Sequence, residues 1–269
     1  MIRAAFNLST IPFTKNIEAK NLFQHAQFTT MQKRLAMLFE NRGIGMFTGD
    51  VGCGKSTAIR AVLDSVSSQT HKTVYLYRGL EELGTFYKQI ALQLGIMPMF
   101  RKSDIARQVI ATVEELYTQQ KITTVLVIDE AHLLSAEVLD EIRLIHNSHY
   151  DSTDYLATAL VGQTPLKKMM NYNKFLPLKQ RLSITCHIKA LSKNDAYKYV
   201  EHQVALSKAA NKIFMDNALE TIITASKGVP RVINTLALKA MNKAVEMKLE
   251  TVDQKCVIDA LDEIGMSLN

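Results

Sequence analysis

The chain has 269 residues, 47% of them hydrophobic, which is enough to bury a core of one large domain or of a standard domain with a smaller appendage, and it excludes disorder on the scale of the whole chain. Three scattered cysteines, Cys53, Cys186 and Cys256, fit neither a disulfide framework nor the paired spacing of a zinc site, and point to a reducing cytosol. A formal charge of +6 permits contact with nucleic acid or anionic surfaces without requiring it.

The first 40 residues read as an N-terminal extension. Met1 to Lys20 lacks the continuous apolar run of a signal peptide, and nowhere do about 18 apolar residues follow one another, so a cytoplasmic protein with no membrane contact is expected. Ile44 to Thr48 is a short apolar strand that runs into a glycine-bearing turn, after which Lys55 to Ser65 has helical spacing. Val74 to Tyr77 is a second strand candidate, followed by helical patterns over Leu83 to Leu94 and Ile105 to Tyr117. Val125 to Ile128, Leu156 to Val161 and the weaker Ile184 to Ile188 complete the strands. Strands that alternate with helices predict an α/β fold, a parallel sheet sandwiched by helices, over residues 1–190. Beyond Ala190 only helices are predicted, over Asn194 to Ser207, Asp216 to Ser226, Arg231 to Glu246 and Val252 to Ile264, with Ser192 and Asp216 as N-caps and Pro230 at a first turn. Residues 191–269 therefore read as a small all-helical lid domain, and the chain carries no internal repeat.

Gly49-Asp50-Val51-Gly52-Cys53-Gly54-Lys55-Ser56 satisfies G-x-x-x-x-G-K-[ST] at every position, between a strand and a helix, with Thr57 next in line. Glycines in such a P-loop let consecutive backbone N–H groups face phosphates; Lys55 can reach the β- and γ-phosphates and the Ser56 hydroxyl can ligand Mg²⁺. Asp129 and Glu130 end a buried-strand run, where Asp129 can hold Mg²⁺ through its water shell and Glu130 can polarise the water that attacks the γ-phosphate. Two such roles require different surroundings for neighbouring carboxylates. ATP and Mg²⁺ are the expected cofactors, and ATP hydrolysis the expected reaction.

Asp129-Glu130-Ala131-His132 also spells the label of a helicase class, but no other helicase motif accompanies it, and His132 reads as a neighbour of the site. Gln163, after the strand Leu156 to Val161, orients the attacking water, senses the γ-phosphate, or is only a solvated turn residue. Arg181 and Arg231 each fit a phosphate ligand, which a neighbouring subunit could supply, and equally an ordinary surface ion pair. Cys53 is read as a small residue tolerated inside the loop, and His146 and His149 as plain polar residues. Lys167 to Lys174 is a basic stretch containing Tyr172 that reads as a solvated loop or a nucleic-acid contact.

Taken in order, Phe6-Asn7-Leu8 with Ile11-Pro12-Phe13, the P-loop, Ile128 to Ser135, Leu160-Val161-Gly162-Gln163, Lys179-Gln180-Arg181 and Gly228-Val229-Pro230-Arg231 resemble the AAA+ ATPases of the ExeA (general secretion pathway protein A) type, a branch that includes the transposon ATPases of the TniB and TnsC type. The resemblance spans roughly Phe6 to Ala244. It implies a P-loop NTPase fold, Arg181 as an arginine finger given to a neighbouring subunit, Arg231 as a lid arginine, Gln163 as a sensor, and ATP between subunits of a homo-oligomeric ring or filament. Secretion members usually continue into a membrane segment and a periplasmic region, so a chain that stops at Asn269 is expected to side with the mobile-element members. The resulting expectation is an ATP-dependent regulator of transposition that assembles on double-stranded DNA and recruits a transposase. A secretion-type assembly ATPase and a replication or helicase-loading ATPase are the alternatives.

Overall fold

The computed structural model describes residues 2–15, 17–77, 82–146 and 153–266. Its elements in chain order are α1 (Ile2–Ala5), α2 (Ala26–Asn41), β1 (Gly43–Gly49), α3 (Lys55–Leu63), β2 (His71–Leu76), α4 (Leu83–Leu94), α5 (Lys102–Thr118), β3 (Thr123–Ile128), α6 (Ala136–Ile145), β4 (Leu156–Gly162), α7 (Thr164–Met169), α8 (Leu176–Gln180), β5 (Leu182–Ile188), α9 (Lys193–Leu206), α10 (Asp216–Ser226), α11 (Pro230–Glu246) and α12 (Gln254–Glu263). They form two compact units: the described residues of 27–188 without Gly52–Gly54, and Gly52–Gly54 together with the described residues of 1–26 and 189–266.

In the first unit the strands pair in the order β2-β3-β4-β1-β5, and the pairings are parallel throughout. β1, β3 and β4 are buried along their whole length, which explains why their sequences are continuous apolar runs and do not alternate. Both faces of the sheet carry helices. Ile44, Met46, Val74, Leu76, Leu126, Ile128, Leu156 and Leu160 share one core with Phe86, Tyr87 and Ile90 of α4, Val109 and Val113 of α5, and Leu139 and Ile142 of α6. Gly45, which points to the other face, lies against α2, since a Cβ there would come 2.7 Å from Leu38 Cδ2. The expectation of a parallel sheet sandwiched by helices matches this architecture. α2 falls within the stretch read as an extension, yet its buried Phe28, Met31, Leu35, Leu38 and Phe39 follow a helical period. The predicted second strand is shifted: β2 starts at the polar His71 and ends at Leu76, before Tyr77.

The second unit is helical apart from an isolated bridge between Phe214 and Val252. Ala196 and Val200 of α9, Ile222 of α10, Ile233, Leu236 and Met241 of α11, and Val257 and Leu261 of α12 form its core. Phe6, Leu8 and Phe13 belong to the same core, so the N-terminal residues pack with the helices after 190 and not as an extension of the sheet domain. Ser192 caps α9 by accepting from the Asp195 N–H at 3.1 Å, as expected. Asp216 does not cap α10; the N-cap is Met215 and Asp216 is the first helical residue, where its charge still faces the positive end of the helix dipole. Pro230 opens α11 in its first turn, a position that needs no backbone donor. Among the described residues no helix is long and apolar enough to cross a membrane.

Candidate functional site

The sheet order places β1 between β4 and β5, with β3 beyond β4, so the segments after β1, β3 and β4 emerge side by side at the carboxyl edge. The P-loop follows β1, Asp129 and Glu130 follow β3, and Gln163 follows β4. Gly49 is required by close approach: a Cβ on it would fall against the Ile188 carbonyl oxygen and 2.6 Å from Ile188 Cγ2. Gly52 and Gly54 have φ of 81° and 100°, in the region that favours glycine, which turns the loop toward the start of α3. Lys55, the first residue of α3, is buried, and its ammonium donates to the Gly49 and Asp50 carbonyls at 2.7 and 2.9 Å. Asp50 Oδ1 accepts from the Thr164 hydroxyl at 2.7 Å, tying the loop to the start of α7. Val51 and Ser56 are exposed, Thr57 is half-buried, and Cys53 is buried at 2% exposure, consistent with a small residue turned into the protein.

The two carboxylates that the sequence leaves equivalent sit in different surroundings. Asp129 Oδ1 accepts from the Glu130 backbone N–H at 2.9 Å, whereas Oδ2 accepts from the Ser56 hydroxyl at 3.2 Å and from the Tyr75 phenol at 2.7 Å. Burial, the hydrogen bond to Asp129 and then the charges of Asp129 and Glu130 push the Tyr75 phenol well above its ordinary range, so it is a permanent donor at neutral pH. Glu130 turns away: its backbone is left-handed, with φ 55° and ψ 34°, and Oε2 accepts from Gln163 Nε2 at 3.1 Å. A non-glycine residue held there stores strain of about 1 kcal/mol or more, which surrounding contacts must sustain. His132 is a neighbour as expected, with Nδ1 3.4 Å from Glu130 Oε2. One carboxylate is thus built into the serine side of the cradle and the other into the Gln163 side. Ser56 beside Asp129 supplies the hard oxygen donors that Mg²⁺ takes, and the glycine-shaped loop with its lysine suits a polyphosphate.

Arg181 is not brought to the cradle. It stands between α8 and β5, at the amino ends of β5 and β1, where it lines a cavity of about 210 Å³ with Gly43, Ile44, His146 and Asp154. The length of β1 separates that end from the P-loop. Arg231 is the second residue of α11, and its backbone N–H donates to the Gly52 carbonyl at 3.3 Å; a Cβ at Gly52 would meet Arg231 Cβ at 2.7 Å. His146 is buried, not a plain surface residue: its ring nitrogens lie 2.7 Å from Asp154 Oδ1 and 3.0 Å from Thr158 Oγ1. His149 lies outside the described residues. The stretch from Lys167 is not a loop throughout, since Lys167 and Lys168 end α7 while Met170, Phe175 and Leu178 are buried; Lys167, Lys168, Tyr172 and Lys174 remain exposed. No group of three or more histidine, cysteine or acidic side chains poised to bind a metal occurs among the described residues. Sequence motifs missed Tyr75 and Thr164; the trace for Tyr75 is a hydroxyl-bearing residue between the buried Val74 and Leu76 at the end of a strand.

Residues 37–170 match the AAA domain family. Over 244 residues the chain is 28% identical to general secretion pathway protein A of Aeromonas hydrophila, an alignment that covers 88% of this chain and 43% of that protein. The chain therefore spans less than half the length of that relative. Among solved structures, Cdc6p of Pyrobaculum aerophilum superposes with a TM-score of 0.74 at 15% identity, covering 94% of this chain and 70% of that one. The Aeropyrum pernix ORC2 protein superposes with a TM-score of 0.70 at 19% identity (93% and 70%), and the Aeropyrum pernix ORC1 protein, solved in complex with DNA, with 0.71 at 15% (93% and 68%). These likenesses are likenesses of fold.

Proposed function

For a chain that is an AAA+ P-loop protein related to general secretion pathway protein A, we propose an ATPase that regulates DNA transposition, assembling on double-stranded DNA with ATP bound and recruiting a transposase. The observation that carries the ATPase reading is the division of labour between Asp129, bonded to Ser56, and Glu130, bonded to Gln163. Residues Gly49, Asp50, Val51, Gly52, Cys53, Gly54, Lys55, Ser56 and Thr57 hold the phosphates, with Arg231 as a further ligand, and Ser56 and Asp129 hold Mg²⁺. The metal, when bound, neutralises charge that develops on the phosphate oxygens. Glu130 takes the proton of the attacking water while Gln163 Nε2 fixes the carboxylate that receives it; the oxygen of that water bonds to the γ-phosphorus as the bond to the ADP oxygen breaks. Arg181 acts on a neighbouring subunit's nucleotide.

The DNA reading rests on the charge of +6, the exposed Lys167, Lys168, Tyr172 and Lys174, and the fold shared with a protein solved on DNA. The second reading, a secretion-type assembly ATPase, is favoured by one observation, the identity to general secretion pathway protein A across most of this chain. Phosphate release and ATP retention by Glu130→Gln and Lys55→Ala test the catalytic assignment. The expected result is that Glu130→Gln keeps ATP bound while hydrolysis stalls, and that Lys55→Ala loses binding. Wild-type turnover by Glu130→Gln would remove Glu130 from the mechanism.

A further inference from the structure

β2 is an edge strand of the sheet, so alternate backbone groups along it face away from β3, where no strand among the described residues pairs with them. The Leu76 carbonyl accepts from the Asp129 N–H at 2.8 Å on the β3 side, which turns the Tyr75 N–H and C=O to the open side. Both are taken by one side chain. The Tyr75 N–H donates to Gln93 Oε1 and Gln93 Nε2 donates to the Tyr75 carbonyl, each at 2.7 Å, so the amide at the end of α4 does what a sixth strand would do at this residue. With its backbone clamped, Tyr75 donates its phenol to Asp129 Oδ2 just past the end of the neighbouring β3.

We infer that Tyr75 is a positioning residue for the metal site: its phenol, fixed through Gln93, orients the Asp129 carboxylate so that the Ser56 hydroxyl can donate to the same oxygen and turn its lone pairs toward Mg²⁺. This rests on the nucleotide site proposed above and deepens it. The accounting of hydrogen bonds supports it. An ionised carboxylate has about four acceptor positions, and Asp129 fills three with Glu130 N–H, Ser56 and Tyr75, leaving one for the water shell of the ion. Removing the phenol frees the carboxylate to rotate about its own axis, and outer partners of metal-binding side chains generally set affinity by restricting that freedom. Nothing in a P-loop or an Asp-Glu pair names the residue that does this, because it comes from a different strand.

The test is Mn²⁺ affinity, read by electron paramagnetic resonance on the full chain with ADP bound, alongside ADP affinity in EDTA and thermal stability. Tyr75→Phe keeps the ring and deletes the hydroxyl, and it should weaken Mn²⁺ binding roughly 10-fold with ADP affinity in EDTA unchanged. Gln93→Leu, which leaves the phenol in place but releases its backbone, should weaken Mn²⁺ by a smaller factor. Wild-type Mn²⁺ affinity in both variants, even with a lowered melting temperature, would overturn the inference and leave Tyr75 a structural residue. If instead the unmodified protein holds no ADP, or Lys55→Ala holds it equally well, the proposed nucleotide site itself fails.

Discussion

Arg181 gives the sharpest quantitative prediction, because the structure puts it at the wrong end of its own subunit. The P-loop leaves the carboxyl end of β1, whereas Arg181 precedes β5 at the amino end, next to Leu182, which pairs with Ile44. Seven residues of β1 at about 3.3 Å each put roughly 20 Å between the two ends, several times the reach of an arginine side chain. Arg181→Ala should therefore leave ATP affinity unchanged. If the residue completes the site of a neighbour, its loss should cost on the order of 10³-fold in turnover, as arginine fingers do. Lys55→Ala subunits retain Arg181, and Arg181→Ala subunits retain the cradle, so an equimolar mixture of two inactive proteins should regain activity. In a head-to-tail assembly of randomly mixed subunits, a competent site needs one of each in the right order, about a quarter of all interfaces. Phosphate release against mixing ratio measures this. No recovery at any ratio, or loss of ATP binding by Arg181→Ala alone, would exclude Arg181 as a residue given to a neighbouring site.

Gly49→Ala should destabilise the sheet unit by about 1 to 3 kcal/mol and weaken nucleotide binding, because the added methyl meets the Ile188 carbonyl; unchanged melting and nucleotide titration curves would count against the close approach. Asp253 caps α12 by accepting from the Cys256 N–H at 2.9 Å, and Asp253→Ala should cost about 1 kcal/mol in chemical denaturation. Those bonds hold the Asp253 carboxyl below its ordinary value of 3.8, so the cap's contribution is complete above that value and is lost as pH falls through the lower folded pKa; a mutational difference that grew on acidification would contradict this. The three thiols are buried, and burial first of all pushes Cys256 up to about 11, so the native protein should react with a thiol reagent at pH 8 far more slowly than the unfolded chain.

The parts of the fold that were legible were those whose local physics agrees with the tertiary result. Val125 to Ile128 and Leu156 to Val161 are continuous apolar runs because both faces of those strands are covered, and the glycine pattern from Gly49 names its own turn. The start of β2 was not legible, since His71, Lys72 and Thr73 lie on an edge where polar side chains are tolerated. α2 carries a readable helical period, but nothing local says that Leu38 packs on Gly45. Asp216 suits the cap position by residue type, and only the backbone shows that the helix begins one residue early for it, with Met215 as the cap. Within the site, the motif residues Ser56, Asp129, Glu130 and Gln163 meet as their order suggests, because each follows a strand of one parallel sheet. The different environments of Asp129 and Glu130, the clamp from Gln93 through Tyr75, and the distance of Arg181 from the cradle depend on which strands are neighbours, and no single stretch of sequence encodes that.

Assembly on DNA with ATP bound is open to one direct measurement, duplex-DNA binding of the purified chain with a non-hydrolysable ATP analogue, with ADP and with no nucleotide, each at two salt concentrations. Tight binding is expected with the ATP analogue alone, weakening steeply with salt as phosphate contacts are screened. Absence of binding in every nucleotide state would contradict assembly on DNA and put the secretion-type reading in its place.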